Sequence, residues 1–342
     1  MLSLLSYVLS FLHSLYSFST TIATGAQKTI TSTYDPHLYL MGDYIRSPLI
    51  RSLHAKLEHQ QQHSSSTHPE WYSIRSQYVQ TDILSRFLPL EQDKETTTFL
   101  SNCFEKSSWI FTHFYHAIAK AFLTWFISST SINGLLRRGS MFVLSSRQFA
   151  ALLDFSEDTK LDVLLDIGAG DGMVTSKMAP FFRQVHVTEL SRPMQWRLAE
   201  RGFSVIEADS WYKQPTGTET ESVRYDVVSC LNVLDRCETP LTILRNIGRV
   251  LKPNSGRLVL GIVLPLKQYV ESTADHQATE ILNISDSSIW ETQLNSLVSS
   301  VLAPLQFELI RWTRVPYLCE GDFSQSFYYL NELVLVLRIC PT

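Results

Sequence analysis

Leu161-Asp162-Val163-Leu164-Leu165-Asp166-Ile167-Gly168-Ala169-Gly170-Asp171-Gly172 is the stretch that decides the fold of this chain. Its apolar run, rich in Leu and Val, predicts a buried parallel strand. The run stops at an acid and three alternating glycines, and Met173-Val174-Thr175-Ser176-Lys177-Met178 then begins a helical pattern. Strand, tight glycine turn and helix bring backbone N–H groups and a helix N-terminus against a ligand. A Cβ at the glycines would hold that ligand away from the backbone.

The nicotinamide fingerprint G-x-G-x-x-G requires glycine at position 173, where Met173 stands. The spacing Asp-x-Gly-x-Gly-x-Gly resembles the first motif of class I S-adenosylmethionine-dependent methyltransferases. Any tight β-α turn can use such glycines, so the downstream residues carry the discrimination.

Those residues alternate regularly. Gln184–Glu189 predicts a second strand with Glu189 at its carboxyl end, beside the ligand crevice of a doubly wound sheet, where two oxygens can accept both ribose hydroxyls. Ser191–Arg201 follows as a helix, then Phe203–Asp209 as a strand that places Asp209 to accept from an adenine amino group. Tyr225–Asn232 is the fourth strand, Pro240–Leu251 a helix and Arg257–Leu264 the fifth strand. Phe307–Val315 and Tyr328–Leu337 complete a seven-stranded α/β sheet. Acids at the ends of successive strands, in order after the glycine turn, are far more specific than the turn alone. Asp166, Gly168, Gly170, Gly172, Glu189, Asp209 and Asn232 form the expected cofactor set, with S-adenosyl-L-methionine as the cofactor.

The 342 residues suit one large domain with additions, or two domains. A net charge of −4 argues against a dominant phosphate-binding surface, and no nucleic-acid partner is expected. Five scattered cysteines without a C-x-x-C pair suggest neither a zinc knuckle nor a disulfide framework. Residues 1–27 carry no Asp, Glu, Lys or Arg and form a hydrophobic segment that reads as a cleaved signal, a membrane anchor or a retained helix. Residues 28–98 are a variable region with a polar low-complexity loop around Glu58–Pro69, whose irregular histidines make a poor metal site. Residues 99–155 read as a helical extension: Phe99–Ile127 is an amphipathic helix carrying His113 and His116, and a glycine-punctuated segment with Arg137 and Arg138 precedes a short helix through Gln148–Leu153. The two arginines either face a carboxylate or solvate a turn. Residues 156–340 are the expected methyltransferase domain.

Several motifs lie outside the cofactor fold: Ser131-Ile132-Asn133-Gly134, Arg138-Gly139-Ser140-Met141-Phe142-Val143, Leu234-Asp235-Arg236-Cys237, Tyr269-Val270-Glu271 and Pro316-Tyr317-Leu318-Cys319-Glu320-Gly321-Asp322. With Asp166–Gly172, Thr188–Ser191 and Ser229–Asn232, they resemble the DREV branch of methyltransferase-like proteins over roughly residues 99–338. That family contains enzymes that methylate the pros nitrogen (N1) of histidine in His-x-His motifs of proteins. The resemblance implies protein substrates of that kind, and it brings Arg138 into the cofactor set. It departs at Met173, where the family is expected to carry an acid, and at a longer Thr216–Glu221 loop. The family's hydrophobic N-terminus suggests membrane association and the endomembrane system (endoplasmic reticulum), with the cytoplasm as the alternative.

Rival chemistries fit less well. Adenine-N6 enzymes place Asn/Asp-Pro-Pro-aromatic after the fourth strand, whereas Asn232 is followed by Val233-Leu234-Asp235. Arginine methyltransferases need two glutamates there, and this chain offers only Asp235. A non-catalytic binding protein would be expected to have lost a ligand-facing group, yet the glycines, Glu189 and Asp209 are all present.

Methyl transfer to histidine needs a neutral imidazole in a fixed tautomer, with compensation for the charge that develops on the ring. A carboxylate accepting the remote N–H supplies both, which makes Asp235 the candidate catalytic residue. The resemblance adds Tyr329 as its partner on the ring and sets Asn232 close to substrate and cofactor. Tyr317, Glu320 and Asp322 are candidate contacts for the second histidine, although the two acids could equally polarise a solvent-facing turn.

Overall fold

The computed structural model describes residues 67–107, 139–156, 158–212, 224–270, 273, 275–322 and 325–340. The hydrophobic N-terminal segment, the low-complexity loop before residue 67, the aromatic helix with His113 and His116, Arg138 and the Thr216–Glu221 loop lie outside these described residues.

Among the described residues, β1 (Met141–Phe142), β2 (Leu161–Ile167), β3 (Phe182–Thr188), β4 (Ser204–Ile206), β5 (Val227–Leu231), β6 (Arg257–Val263), β7 (Phe307–Glu320) and β8 (Phe327–Ile339) form one sheet. Its order is β1-β7-β8-β6-β5-β2-β3-β4. Strands β2 to β8 are the seven expected, and the two-residue β1 adds an edge. Pairing is parallel across β4-β3-β2-β5-β6, and β8 runs antiparallel to β6. This is a doubly wound, Rossmann-like α/β sheet, and its order reverses between β2 and β5. At such a switch point the crevice outside the carboxyl ends of the strands receives the ligand.

Among the described residues the α-helices are α1 (Thr81–Leu84), α2 (Lys94–Ser107), α3 (Ser146–Leu153), α4 (Thr175–Met178), α5 (Arg192–Glu200), α6 (Pro240–Val250) and α7 (Trp290–Ser296). Sequence explains their ends. Ser145 caps α3 through the Gln148 amide while the Gln148 side chain returns to the Ser145 N–H, a reciprocal capping box. Pro240 opens α6, where a missing N–H is harmless, and Leu244, Ile247 and Val250 bury one stripe against the sheet. The core beneath is made of Leu165, Ile167, Val228, Cys230, Leu258, Leu260, Leu333 and Leu335.

The chain divides into two units. One holds the described residues of His68–Thr96, Ser140–Leu318 and Tyr329–Thr342. Within it, Glu291 is buried and accepts both the N–H and the guanidinium of Arg75, and the Trp312 indole donates to the Ile83 carbonyl at 2.7 Å, which ties residues 68–96 to the sheet. The other unit contains Thr97–Gly139 and Cys319–Tyr328. In it, Lys106 pairs with the buried Glu320 at 3.2 Å, Phe104 meets Phe327 edge to face, and Tyr328 donates to Asp322 at 3.0 Å. Among the described residues no helix is long and apolar enough to cross a membrane.

Candidate functional site

The glycine turn follows directly from β2. Gly168, Gly170 and Gly172 all adopt positive φ, the left-handed region that penalises a side chain. What crowds them differs. A Cβ on Gly168 would stand 2.6 Å from Val233, and one on Gly172 would meet Leu198, Arg201 and Phe203 at about 3 Å. A Cβ on Gly170 would meet only the end of Met141, at 3.4 Å. Gly168 and Gly172 therefore let the protein pack on itself, while Gly170 leaves room on the side of its missing Cβ.

The turn is clasped from β3. The Thr188 carbonyl accepts the N–H groups of Gly168 and Ala169, both at 3.0 Å. Glu189, partly exposed just beyond the strand, accepts from Gly170 N–H at 3.0 Å and from Ser191 N–H at 2.9 Å. Each of its oxygens keeps accepting capacity.

Asp166 lies under the turn. Its oxygens accept from Thr175 Oγ1 at 2.6 Å and Ser229 Oγ at 2.7 Å, joining β2 to α4 and β5. Burial lifts its carboxyl to about 6, and the two hydroxyls oppose that rise. Asp209 stands exposed in the turn after β4, which ends at Ile206, short of the predicted Asp209.

Asn232 follows β5 with φ +56°, a conformation Asn tolerates better than most residues. Its N–H donates to the Gly261 carbonyl at 3.0 Å, and its Nδ2 donates to Glu332 Oε2 at 2.8 Å. Its Oδ1 is buried without a hydrogen-bond partner. Asp235, 9% exposed, lies in the turn that follows. Its Oδ2 accepts from Arg236 Nε at 3.4 Å, and its Oδ1 is likewise buried without a partner. Thr239, not Asp235, occupies the N-cap position of α6.

These acceptors match the donors of the expected cofactor. S-adenosylmethionine carries ribose hydroxyls, an ammonium and a cationic sulfur, and Glu189 and Asn232 Oδ1 are acceptors lacking positively charged neighbours in their hydrogen bonds. Gly170 provides the open approach.

A profile of the DREV methyltransferase family matches residues 71–339. The chain belongs to that family. It is an S-adenosylmethionine-dependent methyltransferase. Among solved structures it is similar to the [4+2]-cyclase SpnF, at 16% identity over 58% of this chain and 81% of that one, with a TM-score of 0.37. It is also similar to the N-methyltransferase NodS of Bradyrhizobium japonicum, solved with S-adenosyl-L-homocysteine, at 18% identity over 57% and 86% of the two chains and a TM-score of 0.35. A TehB-like SAM-dependent methyltransferase of Corynebacterium glutamicum shows 17% identity over 58% and 89%, with a TM-score of 0.35.

In this DREV chain, the other expected residues fall in different places. Tyr329, half-exposed on β8, lies 5.1 Å from Trp71 ring to ring, and Trp71 in turn stacks on His68. Tyr317 is buried beside Met141, to whose sulfur its hydroxyl is directed. Glu320 and Asp322 belong to the other unit, where they meet Lys106 and Tyr328.

Two residues of the site escaped the sequence reading. Glu332 is fully buried and sits against the Asn232 amide. Gly261, on the neighbouring β6, lies close to its side chain, for a Cβ there would come 2.3 Å from Glu332 Oε1. The available signal was an acid and a glycine, each inside an apolar strand, a pattern that marks close approach.

Proposed function

We propose that this methyltransferase acts on histidine in proteins, at the pros nitrogen within His-x-His motifs. The observation that carries the reading is Asp235: a carboxylate nine-tenths buried beyond β5, with Oδ1 facing no donor of the protein itself. Such an oxygen suits an acceptor for the remote N–H of a substrate imidazole. Accepting it selects the tautomer whose lone pair lies on the attacking nitrogen and stabilises the positive ring that forms.

Bound S-adenosylmethionine supplies a methyl group made electrophilic by its cationic sulfur. The chain's own residues hold and align: Glu189 and the Gly170 side of the turn bind, Asn232 spans cofactor and substrate, and Asp235 orients the ring. Tyr329, with Trp71 behind it, offers an aromatic face against which an imidazole can be held. Histidine is largely neutral near physiological pH, so alignment rather than a strong base is the enzyme's main task. Protein substrates reached through the endomembrane system complete this proposal.

The test is methyl transfer from labelled S-adenosylmethionine to a His-x-His peptide, with single-histidine peptide and RNA as controls. Label on the pros nitrogen of the His-x-His peptide is expected. Label on RNA, or none on the peptide, would overturn the reading.

A further inference from the structure

Glu332 has a place in the site that binding and orientation as described above do not use. It lies in β8 with no exposed surface, in register opposite Val263 of the neighbouring β6. One oxygen accepts from Asn232 Nδ2 at 2.8 Å, and the other, Oε1, is buried without a hydrogen-bond partner. The charged groups acting on it come from the turn after β5, namely Asp235 and Arg236. Arg236 is half-exposed and engaged with Asp235 Oδ2. From β6 the neighbours are Gly261, Ile262 and Val263, none of them charged. On β7, Arg314 is committed to Asn331 Oδ1 at 2.7 Å and to the Ser73 carbonyl at 2.6 Å.

Three buried oxygens on three side chains, Asn232 Oδ1, Asp235 Oδ1 and Glu332 Oε1, thus lack a donor. Burial this complete, with Asp235 acting on it, disfavours the ionised form of Glu332. Arg236 bonds Asp235 Oδ2, and among the described residues no cation hydrogen-bonds Glu332.

We infer that Glu332 is a positioning residue: as a neutral acid it fixes the Asn232 amide without placing a second negative charge beside Asp235. Burial, reinforced by Asp235, pushes its carboxyl up to about 8, in keeping with that arrangement. Asn232 is then held from two sides, its N–H by the Gly261 carbonyl and its Nδ2 by Glu332, in a left-handed backbone conformation. The inference rests on the proposed role of Asp235, but it can be tested without a methyl acceptor.

The experiment is infrared spectroscopy of the full chain with glutamate-specific 13C-carboxyl labelling, between pH 5 and 10. The expected result is a protonated glutamate band at pH 7, absent from Glu332→Gln, that disappears with a midpoint near 8. In Asp235→Asn the midpoint falls by about one pH unit or more, because the repelling charge is gone. The comparison of wild type with Asp235→Asn stands even where Glu332→Gln fails to fold. A merely structural Glu332 gives no protonated band at pH 7, or a midpoint that Asp235→Asn leaves in place, and either result overturns the inference. Methylation of the His-x-His peptide is then followed against pH: an alkaline decline in wild type that Glu332→Gln flattens is expected, and an equal decline in both overturns the inference. A peptide that is never methylated refutes the histidine reading alone, since the infrared midpoints still decide the role of Glu332.

Discussion

Ser229 and Asp166 face each other from neighbouring strands, hydroxyl to carboxylate at 2.7 Å, where almost no solvent reaches. With Thr175 on the other oxygen, this contact braces the glycine turn that follows β2. Ser229→Ala leaves a buried, charged acceptor short of one donor. The expected loss at pH 7.5 is about 1.5–3 kcal/mol. It shrinks below pH 5, because Asp166, lifted to about 6, is then protonated. Urea unfolding at the two pH values checks both the size and the trend.

Glu189→Ala removes the acceptor expected to hold the ribose and also releases the N–H groups of Gly170 and Ser191. A charge-assisted contact of this type is worth about 1.5–3 kcal/mol, so affinity for S-adenosylmethionine falls roughly ten- to a hundredfold. Calorimetry measures it, and unchanged affinity would remove Glu189 from the site.

Two glycine substitutions should separate packing from binding. Gly168→Ala forces a methyl group 2.6 Å from Val233 and destabilises the chain, seen as a lowered Tm. Gly170→Ala strains only its own backbone, by about 1–2 kcal/mol, and meets nothing nearer than 3.4 Å. Its larger effect is expected on cofactor affinity. Thermal shift and calorimetry on both variants should rank them in opposite order.

Asp235→Asn keeps the shape of the side chain and removes its charge. Turnover on a His-x-His peptide is expected to fall roughly 10²–10⁴-fold, the scale at which a lost tautomer or lost charge stabilisation is felt. Cofactor affinity stays close to wild type. Steady-state kinetics beside calorimetry separates the two effects, and near-normal turnover would exclude Asp235 as the orienting group.

Glu332 also leaves a signature in stability. Its carboxyl binds a proton more tightly when folded, at about 8 against an ordinary 4.5, so the folded state is favoured less as pH rises through that window. The liability is absent below about 4.5, grows up to 8 and is constant above it, on the order of 5 kcal/mol in total. Glu332→Gln, which cannot ionise, should therefore gain on wild type steadily between these pH values. Tm of both proteins against pH tests this, and parallel curves would contradict it.

Periodicity and strand-end acids made the sheet legible in the sequence. Leu161–Ile167 coincides with β2, and β3, β5, β6 and α6 lie within about two residues of their expected ends. Short-range chemistry also placed Glu189 beside the turn and Asn232 beside Asp235. What stayed hidden depended on long-range pairing. The N–H groups accepted by Glu189 become clear only when β3 lies beside β2, and Glu332 meets Asn232 only through the antiparallel insertion of β8 beside β6. Tyr329 could be singled out by resemblance, but its ring partner Trp71 comes from a stretch that composition assigned to a variable region. Asp166 shows the reverse limit: the motif fixes its place near the end of β2, and its neighbours, two buried hydroxyls, could not be read from it.

Gly261 has a consequence for how this chain can change. Its missing Cβ is the space into which Oε1 of Glu332 projects, with Leu231 Cδ2 also only 2.8 Å from it, so alanine at 261 requires a shortened residue at 332 and a shift of Leu231. Neither substitution is a safe first step: the shorter acid releases Asn232, and the added methyl collides with the carboxyl. The two positions travel as one inheritance, a lock that any redesign of the crevice must open from both sides at once.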